Sequence, residues 1–263
     1  GFLSKTLLPD GTEIPGTNFD YNYLQHRKVD VVSSALDFIL PFEKYKITAG
    51  AKVSFTNTRN GINYDTSDPT LVQDDYFRYK EQIYALYADY SREYSERFSM
   101  QLGLRMEHTR TTGISEAKDT EDKHDYTRLF PTVYLLYSPT DGHALNFSFS
   151  NRISRPSQNM VNPFPFYQNK YTYACGREDL KPSYTYNAEL GYTLKNNFNV
   201  SAYYSYSDDV FFQVVDLDAE TNVTSFLWEN FMQTHAFGLN NSYTFRTKWL
   251  QTYAQHGVSY RRT

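Results

Sequence analysis

The chain holds a single cysteine, Cys175, among 263 residues, so no internal disulfide can brace it. No run of 18 or more apolar residues exists, which excludes a membrane-spanning helix, and mean hydropathy is low at −0.64. Basic charge is not in excess: Lys+Arg 26 stand against Asp+Glu 30, for a net −4. The electrostatic footprint of a nucleic-acid binder is therefore missing. The start, GFLSKTLLPDG, lacks the basic and apolar segments of a signal peptide. Catalytic punctuation is also absent. The histidines His26, His108, His124, His143, His235 and His256 are scattered without metal-ligand spacing, and there is no P-loop, dinucleotide fingerprint or Gly-x-Ser-x-Gly elbow. The expectation is a protein that is no enzyme, with no catalytic residue, no metal and no cofactor.

What the chain does have is aromatic side chains: 17% of residues, with Tyr 25 and Phe 19 against Trp 2. Tyrosine suits a bilayer edge, where its ring meets lipid and its hydroxyl meets water. Alternation with period two accompanies it. Tyr45, Ile47, Ala49, Ala51, Val53 and Phe55 alternate with Lys46, Thr48, Gly50, Lys52, Ser54 and Thr56. A helix cannot gather such a pattern onto one face. The same rhythm recurs in residues 31–40, 76–90, 98–107, 129–138, 145–153, 184–194, 198–206, 235–245 and 250–260. Between these runs, short turns such as Pro139-Thr140-Asp141-Gly142 and Lys195-Asn196-Asn197 alternate with long polar stretches at 57–75, 108–125 and 208–228.

The pattern predicts an all-β fold: an antiparallel meander of roughly ten strands, part of a transmembrane β-barrel with short turns on one side and long loops on the other. All of 1–263 forms one partial barrel domain in this reading. Residues 1–27 are an entering loop or hairpin remnant, and 154–183 a long extracellular loop.

The wording of that central stretch is specific. Arg152-Ile153-Ser154-Arg155-Pro156, Asn162-Pro163-Phe164, Gly176, Leu180-Lys181-Pro182 and Glu189-Leu190-Gly191-Tyr192 resemble the C-terminal barrel half of TonB-dependent outer-membrane receptors, in the branch described as the outer membrane protein beta-barrel family. Gly103-Leu104-Arg105-Met106-Glu107 upstream, with Asn230 and Gly238-Leu239 downstream, fit the same pattern. Two positions depart from it: Arg177-Glu178 replaces Asn-Pro after Gly176, and Ser183 replaces Glu. The resemblance implies residence in the cell outer membrane, contact with outer-membrane lipid and import of a nutrient. It also implies a TonB complex acting through a plug domain that, with the remaining strands, lies outside this chain. Arg105, Glu107, Arg152, Arg155, Pro156, Asn162, Pro163, Gly176, Leu180 and Pro182 are then architectural.

The candidate ligand contacts are Asn159, Phe164, Phe166, Tyr167, Asn169, Tyr171 and Tyr173, an aromatic and amide set that suits stacking plus hydrogen bonding to a glycan, peptide or metal chelate. Asp216-x-Asp218-x-Glu220-x-Asn222 lacks the glycine and bidentate Glu of a calcium loop and reads as a solvated hairpin tip. Two alternatives stay open: a structural or adhesive barrel without cargo, and a soluble glycan-binding β module. They differ in which face is dry, since a sandwich buries its apolar face and a membrane barrel turns it outward. An isolated open arc would also self-associate through its unpaired edges.

Overall fold

The computed structural model describes residues 2–5, 7–15, 19–66 and 74–263. Gly16, Asp68 and Pro69, assigned above to turns and loops, lie outside them. The described residues form one sheet of thirteen strands. Ten are long: β2 (Phe19–Pro41), β3 (Tyr45–Thr66), β4 (Asp75–Ser95), β5 (Phe98–Ser115), β6 (Thr120–Tyr137), β7 (His143–Ser154), β10 (Ser183–Leu194), β11 (Phe198–Asp218), β12 (Val223–Arg246) and β13 (Gln251–Arg262). Three are short: β1 (Phe2–Ser4), β8 (Phe166–Asn169) and β9 (Thr172–Cys175), and one turn of helix, α1 (Gln158–Val161), precedes the last two. The long strands pair antiparallel in chain order, with β7 meeting β10 across the central connection.

Register makes one face continuously apolar. Leu36, Ala51, Leu86, Met106 and Leu129 lie opposite one another across β2 to β6. Phe147, Leu190, Ala202, Leu239 and Val258 do the same across β7 to β13. This face is exposed: Leu86 is 57% accessible, Leu190 56% and Phe237 51%. A sandwich would hide it. The dry-face test therefore goes against the soluble module and with a barrel whose outer wall meets lipid.

Among the described residues, the polar stretches at 57–75, 108–125 and 208–228 are largely strand. β3 continues to Thr66, and β5 and β6 meet through residues 116–119. β11 and β12 turn at 219–222, where Asn222 takes φ 56°. Likewise β2 begins at Phe19 rather than near residue 31. Barrel strands need only about 9–11 residues to span a membrane, so strands of 18 to 24 residues project well beyond the apolar band. On the opposite side the turns are tight. Lys195 and Asn196 both have positive φ, 49° and 57°, the geometry that suits a two-residue hairpin.

Candidate functional site

The projecting ends of the strands carry the central connection, residues 155–182, on the sheet face opposite the apolar one. There the inward positions change character. Thr56 and Thr58 give way on β3 to Ile62 and Tyr64, and β4 presents Phe77 and Tyr79. Ile62, Tyr64 and Phe77 bury with Val161, Phe164 and Leu180 of the connection into one core. Phe77 is 0% exposed and Phe164 1%, with ring centroids 6.2 Å apart edge to face.

The connection's own backbone explains its family-like motifs without reference to ligand. Gly176 N–H donates to the Asn162 carbonyl at 2.8 Å and Arg177 N–H to the Met160 carbonyl at 2.8 Å. A Cβ on Gly176 would sit 2.4 Å from the Asn162 carbonyl oxygen, so only glycine permits this approach. The Asn162 side chain accepts the Phe164 N–H at 3.2 Å. Lys118 Nζ donates to the Pro163 carbonyl at 3.4 Å.

Two motif words from distant strands meet at one ion-pair network. Arg155 Nη2 donates to Glu107 Oε2 at 2.6 Å and to Thr109 Oγ1 at 3.1 Å, while Arg105 Nη2 lies 2.5 Å from Glu107 Oε1. Glu81, 3.8 Å from Arg155, completes the group. Burial pushes the Glu81 carboxyl above its ordinary value, opposed by Arg155 and reinforced by Glu107. Burial likewise raises Tyr79 and Tyr126 beside it. At the connection's far end Arg177 holds Asp179 through Nε–Oδ1 and Nη2–Oδ2, both 2.8 Å, and reaches Glu229 of β12 at 2.8 Å. The Arg177 contact holds the Asp179 carboxyl below its usual range. The departure from the family wording at Arg177 is thus a tether. Asn230 adds another: its Oδ1 accepts Lys181 N–H at 2.8 Å and its Nδ2 donates to the Asp209 carbonyl at 2.7 Å.

The hairpin β8–β9 extends the sheet. β9 runs parallel to the distal end of β12, pairing Thr172 with Thr224 and Cys175 with Leu227. Phe166 meets Tyr23 of β2 edge to face at 6.0 Å, and Tyr64 hydroxyl donates to the Pro165 carbonyl at 3.0 Å. The connection thus reaches from the last strands back to the first. Cys175 is half-buried in it, and that burial raises its thiol.

The candidate ligand contacts therefore divide. Phe164 is core, and Phe166 and Tyr167 pack partly against it. Tyr173 stays half-buried beside Tyr167, at 5.4 Å between centroids. Asn159, Asn169 and Tyr171 are exposed, Tyr171 at 54%. Arg152 is not among the ion pairs of the Arg155 network but adjoins it. It lines a depression of about 600 Å³ on the inner wall, together with Lys52, Tyr87, Asp89, Arg105 and Glu107. Pro156, Leu180 and Pro182 border a small enclosed cavity of about 20 Å³ between connection and strands. Sequence reasoning missed Glu81, Thr109, Ile62 and Phe77. The one available signal was the swap of inward polar for inward apolar residues along β3. Among the described residues, no group of three His, Cys, Asp or Glu is placed to hold a metal ion.

The model of the outer membrane protein beta-barrel family matches residues 2–263. No curated protein matches. Among solved structures, the copper transporter OprC aligns at TM-score 0.70 and 11% identity, over 91% of this chain and 39% of its own. The ferric citrate transporter FecA, unliganded, aligns at 0.58 and 13%, over 92% and 37%. The ferric yersiniabactin uptake receptor FyuA from Yersinia pestis aligns at 0.54 and 15%, over 93% and 37%. The chain thus spans about two-fifths of the length of these structures and shares their fold.

Proposed function

We propose, on the premise that the chain belongs to the outer membrane protein beta-barrel family, that it is the ligand-handling part of an outer-membrane uptake receptor. The receptor takes a scarce nutrient, and a TonB complex energises it through a plug domain outside this chain. The observation carrying this reading is the aromatic connection seated over a polar inner wall. Asn159, Asn169 and Tyr171 offer ligand contacts at its exposed parts. Below it, Lys52, Arg105 and Arg152 line an open depression. A ligand held at the tip would pass to that wall only if the connection swings, so the Arg155–Glu107 and Arg177–Glu229 pairs act as its latches. The long-strand end faces outward from the cell in this reading.

The test uses the full-length protein in cells, with residues 166–175 replaced by a short Gly-Ser linker and uptake of copper(II), ferric citrate and an oligosaccharide measured. Loss of uptake of one probe, with the barrel still heat-modifiable on a gel, supports the reading. Unchanged uptake would remove the hairpin from ligand handling. If even the intact protein changes no uptake, the structural or adhesive alternative holds.

A further inference from the structure

The outward face changes chemistry just beyond the apolar band. Moving up the strands from the row Leu36–Ala51–Leu86–Met106–Leu129, the next outward rows hold Val53, Tyr84 and His108, then Phe55, Gln82 and Arg110. Phe55 and Tyr84 meet edge to face at 5.8 Å, an aromatic rim of the kind found at membrane interfaces. Above the rim lie Asp30, Asn57, Lys80 and Lys123, and then Lys28, Arg59 and Arg78, a row that Ile114 and Glu121 continue on β5 and β6, where Glu121 is taken up by Lys123 at 2.8 Å. In that last row Lys28 is directly opposite Arg59, and Arg59 directly opposite Arg78.

Like charges directly opposite each other on a sheet destabilise it. Three in a row, with Lys80 one row away, is an arrangement that calls for an anion. The protein supplies little. Asp30 lies 3.1 Å from Arg59 and 3.8 Å from Lys28. Arg78 rests over the Tyr76 ring at 5.9 Å and its Nε has no partner. Lys80 is exposed with no ion pair among the described residues. Elsewhere the chain is different: between Lys195 and Arg246 there is no Lys or Arg, while Asp208, Asp209, Asp216, Asp218, Glu220 and Glu229 all fall there. The cations are concentrated, although the whole chain carries net −4.

Height identifies the occupant. From Phe55 to Arg59 the strand climbs ~13 Å, which at a tilt of about 45° is roughly 9 Å above the apolar edge. That is the level of lipid headgroups, and these side chains share the face that meets lipid. We infer that Lys28, Arg59, Arg78 and Lys80 form a docking row for a phosphate-bearing lipid headgroup in the leaflet on the long-strand side. Guanidinium groups pair with phosphate oxygens two bonds at a time, and a lipid anchored by its acyl chains on the neighbouring apolar face presents its phosphates at this row. The inference rests on the outer-membrane placement and not on cargo, so uptake can fail while it stands.

The experiment uses the full chain refolded in zwitterionic micelles and titrated with diphosphorylated lipid A, read by native mass spectrometry. The variant K28Q/R59Q/R78Q/K80Q should bind on the order of fivefold more weakly for each cation removed. Added salt should weaken the wild type and leave the variant unaffected. Without lipid A the variant should melt no lower than the wild type, since the exposed Asp30 pairs it loses contribute little and the repulsion between the cations goes with them. Equal binding by the variant, or equal binding of dephosphorylated lipid by the wild type, would overturn the assignment. So would a lower variant melt, which would make the row structural, or displacement by inorganic pyrophosphate, which would make it a free-anion site.

Discussion

Along β4, Leu86, Ala88 and Tyr90 lie on the outward face and Tyr87 and Asp89 on the inward one. A few residues earlier in the same strand Arg78 and Lys80 lie outward while Phe77 and Tyr79 turn in. The hydrogen-bonded ladder is continuous across this change. The side chains are not, because the surroundings differ. At membrane level the strand needs lipid outside and tolerates water inside. In the distal half it meets water or headgroups outside and protein inside, in the form of the central connection. One strand thus serves two environments by exchanging which parity is apolar, and each half should fail under a different challenge.

The largest effect should come from removing lipid substitutes. With its apolar face bare and, among the described residues, most of the outer edges of β2 and β13 without a neighbouring strand, the isolated chain should leave the monomeric state altogether when detergent is withdrawn. Multi-angle light scattering during dilution below the critical micelle concentration would show it. A stable monomer there would mean that the apolar face finds cover within one chain, and the contrast between halves would collapse.

A smaller and purely distal effect is expected for Phe164→Ala. Truncating a fully buried Phe typically costs about 3–5 kcal/mol, and here the loss falls on the packing of the connection against Ile62 and Phe77. Hydrogen exchange should quicken in β8 and β9 and leave β10 at membrane level unaffected. Equal loss of protection in both halves would mean they unfold as one unit.

The membrane-level half was legible in the sequence because lipid on one side and water on the other impose strict alternation, as in Tyr45 to Phe55. The distal half was not. Arg59, Lys80 and Arg110 alternate with Thr58, Tyr79 and Thr109, and such mixtures read as polar loop although backbone pairing continues unbroken. The motif words were visible, but that Arg105 and Glu107 on β5 receive Arg155 from the connection is a fact of space and not of order. For the aromatic connection, composition suits both ligand contact and loop packing, and packing more than contact. The structure divides them, burying Phe164 and leaving Tyr171 outside, because the deciding partners, Ile62 and Phe77, sit about a hundred residues upstream.

The smallest expected effect is a pH dependence confined to the distal half. Glu81 faces inward beneath the connection, beyond the rim residue Tyr84, and burial raises its carboxyl above the ordinary 4.5. The folded state therefore binds this proton more tightly than the unfolded one. Stability contributed by the group rises as pH falls through the raised value toward 4.5, and is level below that. Asp179 works the other way. Arg177 holds it below the usual 3.8, so its contribution is lost only in stronger acid, and the two windows do not coincide. Hydrogen-exchange protection of β8 and β9 should thus increase modestly on mild acidification. Glu81→Gln, which carries no titrating proton and keeps the shape, should reduce that slope without changing protection at membrane level, and the remainder belongs to Glu178 of the connection, whose carboxyl burial also raises. A slope left unchanged by Glu81→Gln would exclude Glu81 as a responsive group.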